Sequence, residues 1–250
     1  MRLEIVIPCV EYDDFLRLTL PTNLQSGGKI TVLTSRRDAR TIALAQFFRT
    51  ELFLTEAWWF GGPFDKAAAL NRWLDAVSVS ARDTWVMALD ADILLPFNTP
   101  IRLDTLDPTF LYGAKRRMCA GETAWNDFVQ GKRTIETFPL DVTPVRHGRV
   151  WGNRPTSNPA ALCGYVQLWN PVCASGSRRF PLSGTAALYD VEFGLSFPED
   201  HRGYLPGFEV LHLGRGGTNW AGRKTPRWVN AHVVNRREAS TPLRVGVNLR

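Results

Sequence analysis

Two carboxylates stand out first: Asp90 and Asp92, spaced i, i+2 at the end of the apolar run Trp85-Val86-Met87-Ala88-Leu89. Carboxylate oxygens suit hard divalent cations. Mg²⁺ or Mn²⁺ usually shares such a site with substrate phosphates rather than sitting in an all-protein cage. A buried strand that delivers Asp-x-Asp to its carboxyl end, where open α/β sheets bind ligands, points to a nucleoside-diphosphate site. Lys66 opens a helical stretch just after Gly61-Gly62-Pro63, and Asn71 follows on the same stretch. Asp190 stands at the start of a further helical pattern, where it can cap the helix or act as a base, with Glu192 and Glu199-Asp200 as competing carboxylates. His212 ends a late apolar run beside the glycine-rich loop Gly214-Arg215-Gly216-Gly217-Thr218-Asn219-Trp220-Ala221-Gly222-Arg223. That loop reads as a closing lid, with Arg215 or Arg223 neutralising phosphates and Trp220 excluding water.

The elements that must position these groups alternate. Strands are expected at 3–8, 29–34, 51–55 and 84–89, and helices at 13–20, 38–48 (capped by Asp38) and 66–77. This order predicts an α/β fold with a mostly parallel, doubly wound sheet. In the second half, strands are expected at 110–117, 165–169 and 209–213, a helix at 190–197 and a terminal helix at 228–238. Residues 120–160 read as loop. One domain is expected over 1–235, with halves 1–98 and 99–235 and a tail at 236–250.

Bulk properties narrow the classes. Of the 250 residues 44% are hydrophobic and 22% charged, which provides for a sizeable core and excludes global disorder. No apolar run is long enough for a transmembrane helix. Glu4 and Pro8 argue against a secretory leader. The four cysteines lack zinc-type spacing and read as reduced thiols of a cytoplasmic protein. The net charge of +6 favours a phosphate-bearing or polyanionic partner.

The order Ile5-Val6-Ile7-Pro8, Ile30-Thr31-Val32-Leu33-Thr34, Lys66-Ala67-Ala68-Ala69-Leu70-Asn71, Leu89-Asp90-Ala91-Asp92, Tyr189-Asp190-Val191-Glu192-Phe193 and His212 resembles the GT-A-fold glycosyltransferases, especially the family 2 type. The resemblance spans roughly residues 3 to 220. It implies a Rossmann-like GT-A sheet and sugar transfer from a nucleoside-diphosphate sugar, with UDP favoured, to a hydroxyl. It implies Mn²⁺ or Mg²⁺ held by Asp92, Asp90 and His212, and Asp190 as the base of an inverting reaction. The implied donor site takes Pro8 and Glu11 after strand one, and Thr34, Arg36 and Asp38 after strand two. It continues through Lys66, Asn71, Asp90 and Ala91 to Arg215, Asn219 and Trp220 in the late loop. This chain departs from the family where strand two ends: Thr34-Ser35 stands in place of the usual Asp, with Arg36 or Asp38 as substitutes, so the nucleotide stays open.

The second half interleaves aromatics with cations, a mixture that suits base stacking with phosphate contact and equally sugar stacking. Arg116, Arg117, Trp151, Tyr165, Trp169 and Glu192 are the expected acceptor residues. The favoured acceptor is a hydroxymethylated pyrimidine in DNA, as in phage-type DNA modification in a host cytoplasm. The alternatives are a carbohydrate or lipid-linked acceptor, and a non-catalytic nucleic-acid or carbohydrate-binding module on the same scaffold. A nucleotidyltransferase is a further rival, but strand one runs into Cys9-Val10-Glu11-Tyr12 rather than a basic glycine-rich loop.

Overall fold

The computed structural model describes residues 1–77, 81–97, 100–141, 165–186, 188–214, 219 and 221–233, with the backbone of 145–146 and 149–150. The first half follows its hydrophobic periodicity. Strand β1 (Arg2–Pro8), helix α1 (Asp13–Asn23), β2 (Lys29–Thr34), α2 (Ala39–Phe47), β3 (Glu51–Leu54), α3 (Lys66–Ala76) and β4 (Thr84–Leu89) succeed one another. Asp38 caps α2 by accepting from the Thr41 amide, and Asp65 caps α3 by accepting from the Ala68 amide. β1 pairs in parallel with β2 and β4, and β2 with β3.

The remaining strands are β5 (Ile93–Leu94), β6 (Leu111–Cys119), the short hairpin β7 (Val145–Arg146) and β8 (Arg149–Val150), β9 (Val166–Trp169) and β10 (Arg202–Leu213). The main sheet has eight strands in the order β3-β2-β1-β4-β9-β6-β10-β5. β9 runs antiparallel between β4 and β6, and β5 antiparallel to β10, while β10 and β6 are parallel. The fold is α/β, but the sheet is mixed: parallel in its first half, largely antiparallel around β9 and β5. A period-2 pattern tells a strand from a helix and says nothing of direction, which the connections decide.

Three further differences stand out. Residues 120–160, read as loop, contain helix α4 (Glu122–Val129). The expected helix at 228–238 is irregular over 228–233, and 234–238 lie outside the described residues. β10 begins at Arg202, well before residue 209, because it carries an irregularity between Tyr204 and Glu209, with Gly207 at φ 65°. A bulge interrupts the alternation that would reveal the strand's first half.

Alternate residues of the central strands feed opposite cores. Ile5, Ile7, Met87 and Leu89 pack with Leu16 and Leu20 of α1. Val6, Val86 and Ala88 pack with Leu70 and Trp73 of α3 and with Phe193 of α5 (Tyr189–Leu195). A third core joins Phe15 and Leu18 of α1 to Trp125 and Phe128 of α4 and to Trp228.

The segment 221–233 is fastened across this third core by polar contacts. Arg223 forms a forked pair with Asp14, the two side chains being 6% and 4% exposed, and Asp14 also accepts from the Trp228 amide at 2.7 Å. Glu122 accepts from the amides of Val229 and Asn230. Removing one partner of a buried, forked ion pair leaves an uncompensated charge. Asp14→Ala is therefore expected to cost about 3–5 kcal/mol, read as a lower urea midpoint at an unchanged m-value.

Candidate active site

β4 is buried along its whole length, so its chain emerges at the carboxyl edge of the sheet, where it must turn. The turn is held at each of its three carbonyls. The Ile93 amide donates to Asp90 O, the Thr19 hydroxyl to Ala91 O at 2.8 Å, and the Leu213 amide to Asp92 O at 2.8 Å. β5 follows at once, and Asn23 clamps it by donating to Ile93 O and accepting from the Leu95 amide. In the β5–β10 ladder His212 stands opposite Ile93, next to Asp92 in sequence. This register brings His212 Nε2 to 3.2 Å from Asp92 Oδ2, with both side chains largely buried.

Asp92 Oδ1 and His212 Nδ1 are buried and have no hydrogen-bond partner among the described residues. Burial works against ionisation of Asp92, but the charge of His212 and its hydrogen bond, then Lys66, outweigh it and hold the carboxyl below the ordinary range. Two ligand atoms on neighbouring corners of an octahedron of radius about 2.1 Å are roughly 3 Å apart. The Asp92–His212 separation and the unpartnered Asp92 oxygen thus fit a divalent cation.

Asp90 is placed differently. Its carboxylate is ion-paired with the ammonium of Lys66, at the first turn of α3. Burial, with the charges of Asp92 and Asp190, raises the Asp90 carboxyl above its usual range against the opposing pull of Lys66. For Lys66 burial alone would lower the pKa, but Asp90, and then Tyr189, outweigh it and raise it. No group of three or more His, Cys, Asp or Glu side chains close enough to hold a metal occurs among the described residues. The expected triad of Asp90, Asp92 and His212 is therefore not assembled: Asp92 and His212 meet, while Asp90 faces an ammonium.

Asp190 lies in the first turn of α5, its Oδ1 accepting from the Val191 amide at 2.9 Å. Leu188, in the left-handed region at φ 70°, precedes the helix. Gln167, fully buried on β9 and registered against Ala88 of β4, donates to Asp190 O at 2.8 Å. The antiparallel strand β9 thus carries Asp190 into electrostatic range of Asp90.

Several expected donor residues have local duties. Asp38 accepts from the Thr41 amide and hydroxyl and from the Glu11 amide at 2.6 Å, so its carboxylate ties the turn after β1 to α2. Glu11 itself is exposed at φ 61°, and its carbonyl accepts from Arg223. Asn71 donates to Phe180 O at 2.8 Å and accepts from its amide at 3.0 Å, a two-way splice that occupies the side chain. Arg223 is paired with Asp14 and also donates to the carbonyls of Thr225 and Pro226. Thr34 is buried, Arg36 exposed, Pro8 buried at the end of β1 and Ala91 buried in the turn after β4. Asn219 accepts from the amides of Lys224 and Thr225 and donates to the Tyr12 hydroxyl. Arg215 and Trp220 lie outside the described residues.

The expected acceptor set separates. Trp169 is fully buried, edge-on to Phe180 and Phe193, and is a core residue. Tyr165 is buried, and its hydroxyl donates to Ala114 O at 2.7 Å. Arg116 pairs with Asp141 and stacks over the Tyr165 ring, its guanidinium 4.3 Å from the centroid. Arg117 pairs with Glu209 at 2.6 Å and donates to Phe138 O. Both cations thus serve the fold rather than a free basic surface. Glu192 is exposed, and Trp151 lies outside the described residues.

Tyr12 and Tyr189 were given no role from the sequence, yet both lie within electrostatic range of the Asp90–Asp92 pair. Burial first, and then the negative charge of Asp92, raises the phenol of Tyr12. Burial likewise raises Tyr189, whose ring lies beside the Lys66 ammonium. Their positions directly before α1 and at the start of α5 were the available signal.

No protein-family model matches the chain, and no curated protein matches it. Solved structures do. Glucosyl-3-phosphoglycerate synthase from Mycobacterium tuberculosis, in complex with Mn²⁺, UDP and glucosyl-3-phosphoglycerate, is 17% identical over 52% of this chain and 48% of that one, at a TM-score of 0.32. A complex of the same enzyme with Mn²⁺, UDP-glucose and phosphoglyceric acid is 18% identical over 90% of this chain and 73% of that one, at 0.46. The galactosyltransferase LgtC, with donor and acceptor sugar analogs, is 13% identical over 80% and 72%, at 0.39. The chain spans about half the length of the first of these. With TM-scores below 0.5 and identities below 25%, these likenesses fix neither the family of this chain nor its activity.

The Asn71 splice yields a direct check. Asn71→Ala leaves the Phe180 amide and carbonyl without their partners, an expected loss of about 1–3 kcal/mol. If the chain binds a nucleoside diphosphate, isothermal titration should give an affinity within about twofold of wild type, since both polar atoms of the side chain are engaged by Phe180.

Proposed function

We propose that the chain is a GT-A-type glycosyltransferase that moves a sugar from a nucleoside-diphosphate sugar to a hydroxyl, with a divalent cation. The observation that supports this best is the meeting of Asp92 and His212 at 3.2 Å, beside a Lys66 ammonium and a further carboxylate, Asp190. One end of the sheet then offers a cation seat, a fixed positive charge and a base. When bound, the cation neutralises the charge that develops on the leaving diphosphate. Asp92 and His212 would hold it, and the imidazole nitrogen favours Mn²⁺ over Mg²⁺.

Lys66 holds its charge in a water-poor place and orients Asp90, with diphosphate oxygens as natural further partners of its ammonium. Tyr12, tethered by Asn219, lies within electrostatic range of Asp92. Asp190 accepts the proton of the attacking hydroxyl and so generates the nucleophile in place, which implies inversion without a covalent intermediate. The acceptor is proposed only as a hydroxyl. Hydroxymethylated DNA loses its described carriers, because Arg116, Arg117 and Trp169 are engaged within the fold.

The deciding assay incubates purified chain with a panel of nucleoside-diphosphate sugars, with Mn²⁺, Mg²⁺ or EDTA. It measures nucleoside-diphosphate release and transfer to simple sugars and hydroxymethylated DNA. Asp92→Asn should abolish cation-dependent turnover and weaken Mn²⁺ binding, seen independently by electron paramagnetic resonance, with the melting temperature near wild type. Full EDTA-sensitive activity in that variant would remove Asp92 from the cation site.

Asp190→Asn should lower the chemical rate by roughly 10²-fold or more, the usual loss for a positioned general base. Donor affinity should barely move. If Glu192→Gln is the more damaging change, the base is the other carboxylate.

A further inference from the structure

The loops that precede Lys66 and Tyr189 carry exposed apolar side chains outside the proposed site. Phe60 is 81% exposed, Leu182 60%, Leu188 46% and Trp59 41%. Single exposed apolar residues are ordinary, and grouped ones mark an interaction surface. A backbone contact joins the stretches that carry Phe60 and Leu182. A Cβ on Gly62 would lie 2.0 Å from the Gly184 carbonyl oxygen, and one on Gly184 would lie 2.5 Å from Gly61 O. Phe60 and Leu182 each stand two residues before that contact, within about 7 Å of it along the chain.

The loop is anchored from below. Trp58 is fully buried and stacks on Phe64, ring centroids 5.3 Å apart. Its neighbours Trp59 and Phe60 are thus held outward by a fixed base.

The exposed charge beside Trp59 is net positive; the Asp65 carboxylate next to Gly61 is buried. Arg36 and Arg37 are exposed, and the Arg37 guanidinium lies 5.3 Å from the Trp59 ring centroid. Glu56 faces the same turn. It accepts from Ser35 Oγ and the Arg36 amide and approaches Arg37 at 3.8 Å, offsetting one of the two cations. Tryptophan with arginine at headgroup level and aliphatic tips beyond them is the pattern of an interfacial anchor. Leucines neither stack on bases nor pair with phosphates, which sets this rim apart from a nucleic-acid face. No helix among the described residues is long and apolar enough to cross a membrane, so the contact would be peripheral.

We propose that the loops around the Gly62–Gly184 contact dock the protein on an anionic lipid bilayer. Phe60, Leu182 and Leu188 enter the acyl boundary, while Trp59, Arg36 and Arg37 remain among the headgroups. Lys66 and Tyr189 follow the two loops within a few residues, so docking brings the Lys66–Asp90 end of the sheet near the membrane. Vesicle binding requires no sugar donor, so its failure would leave the sugar-transfer reading standing, and the converse also holds.

The test is co-sedimentation of the full chain with vesicles of phosphatidylcholine alone or with phosphatidylserine, at low and high salt, and tryptophan quenching by brominated acyl chains. Binding is expected to the anionic vesicles and to weaken with salt. The exposed-site double variant Phe60→Ser/Leu182→Ser should bind roughly tenfold or more weakly, and Trp59→Phe should remove most of the quenching. Both variants change exposed side chains, and their circular dichroism should match wild type. Lack of binding to anionic vesicles at low salt would overturn the proposal. So would binding that neither variant changes. Duplex DNA binding that the double variant abolishes, without vesicle binding, would assign the rim to nucleic acid instead.

Discussion

Three carboxylates, Asp90, Asp92 and Asp190, converge at the end of one buried strand, and their mutual repulsion has to be balanced where water is scarce. Burial penalises the charges of Asp90 and Asp92, and the low local dielectric magnifies both repulsion and rescue. The protein splits the problem. Asp92 is given an imidazole and is held ionised, whereas Asp90 is given an ammonium that only partly offsets burial and its acidic neighbours. The two halves of the Asp-x-Asp thus stand in unlike electrostatic states. One has an unpartnered oxygen fit for a cation; the other is ion-paired with Lys66.

The mixed sheet makes this division possible. A wholly parallel sheet would bring only helix-linked strand ends to the edge. Antiparallel β5 returns the chain directly beside β10 and sets His212 against Asp92. Antiparallel β9, through Gln167, holds the start of α5 against the end of β4. Asn23 and Gln167, both at 0% exposure, donate to backbone carbonyls and so fix positions in the fold. Across the molecule, Asp14, Arg223, Glu122 and Asn126 bind the late segment 221–233 to α1 and α4. The loop that carries Asn219 is thereby stapled at its far end, and Asn219 reaches Tyr12 from a fixed base.

Much of this was legible in the residues. Alternating apolar strands and amphipathic helices from Leu3 to Leu89 placed the first seven elements within a few residues, because periodicity 2 and 3.6 are local properties. The Asp38 cap was readable for the same reason, and so was the position of Asp90 and Asp92 after a strand with no polar residue between Trp85 and Leu89. What failed were inferences from composition about surface. Arg116, Arg117 and Trp169 looked like a cationic and aromatic face. In the fold, Asp141, Glu209 and the Phe180–Phe193 cluster consume them, and those partners are distant in sequence.

By itself, then, the sequence determined which segments are strands and helices, that a carboxylate pair must emerge at a sheet edge, and that Lys66, Asp190 and His212 were groups to watch. Only the tertiary structure decided strand direction, the pairing of His212 with Asp92 and of Lys66 with Asp90, and the grouping of Phe60 with Leu182 on one rim. Secondary structure follows from the spacing of neighbouring side chains. Partner choice among charges follows from register between strands and from contacts between loops, and neither leaves a mark within any single stretch of chain.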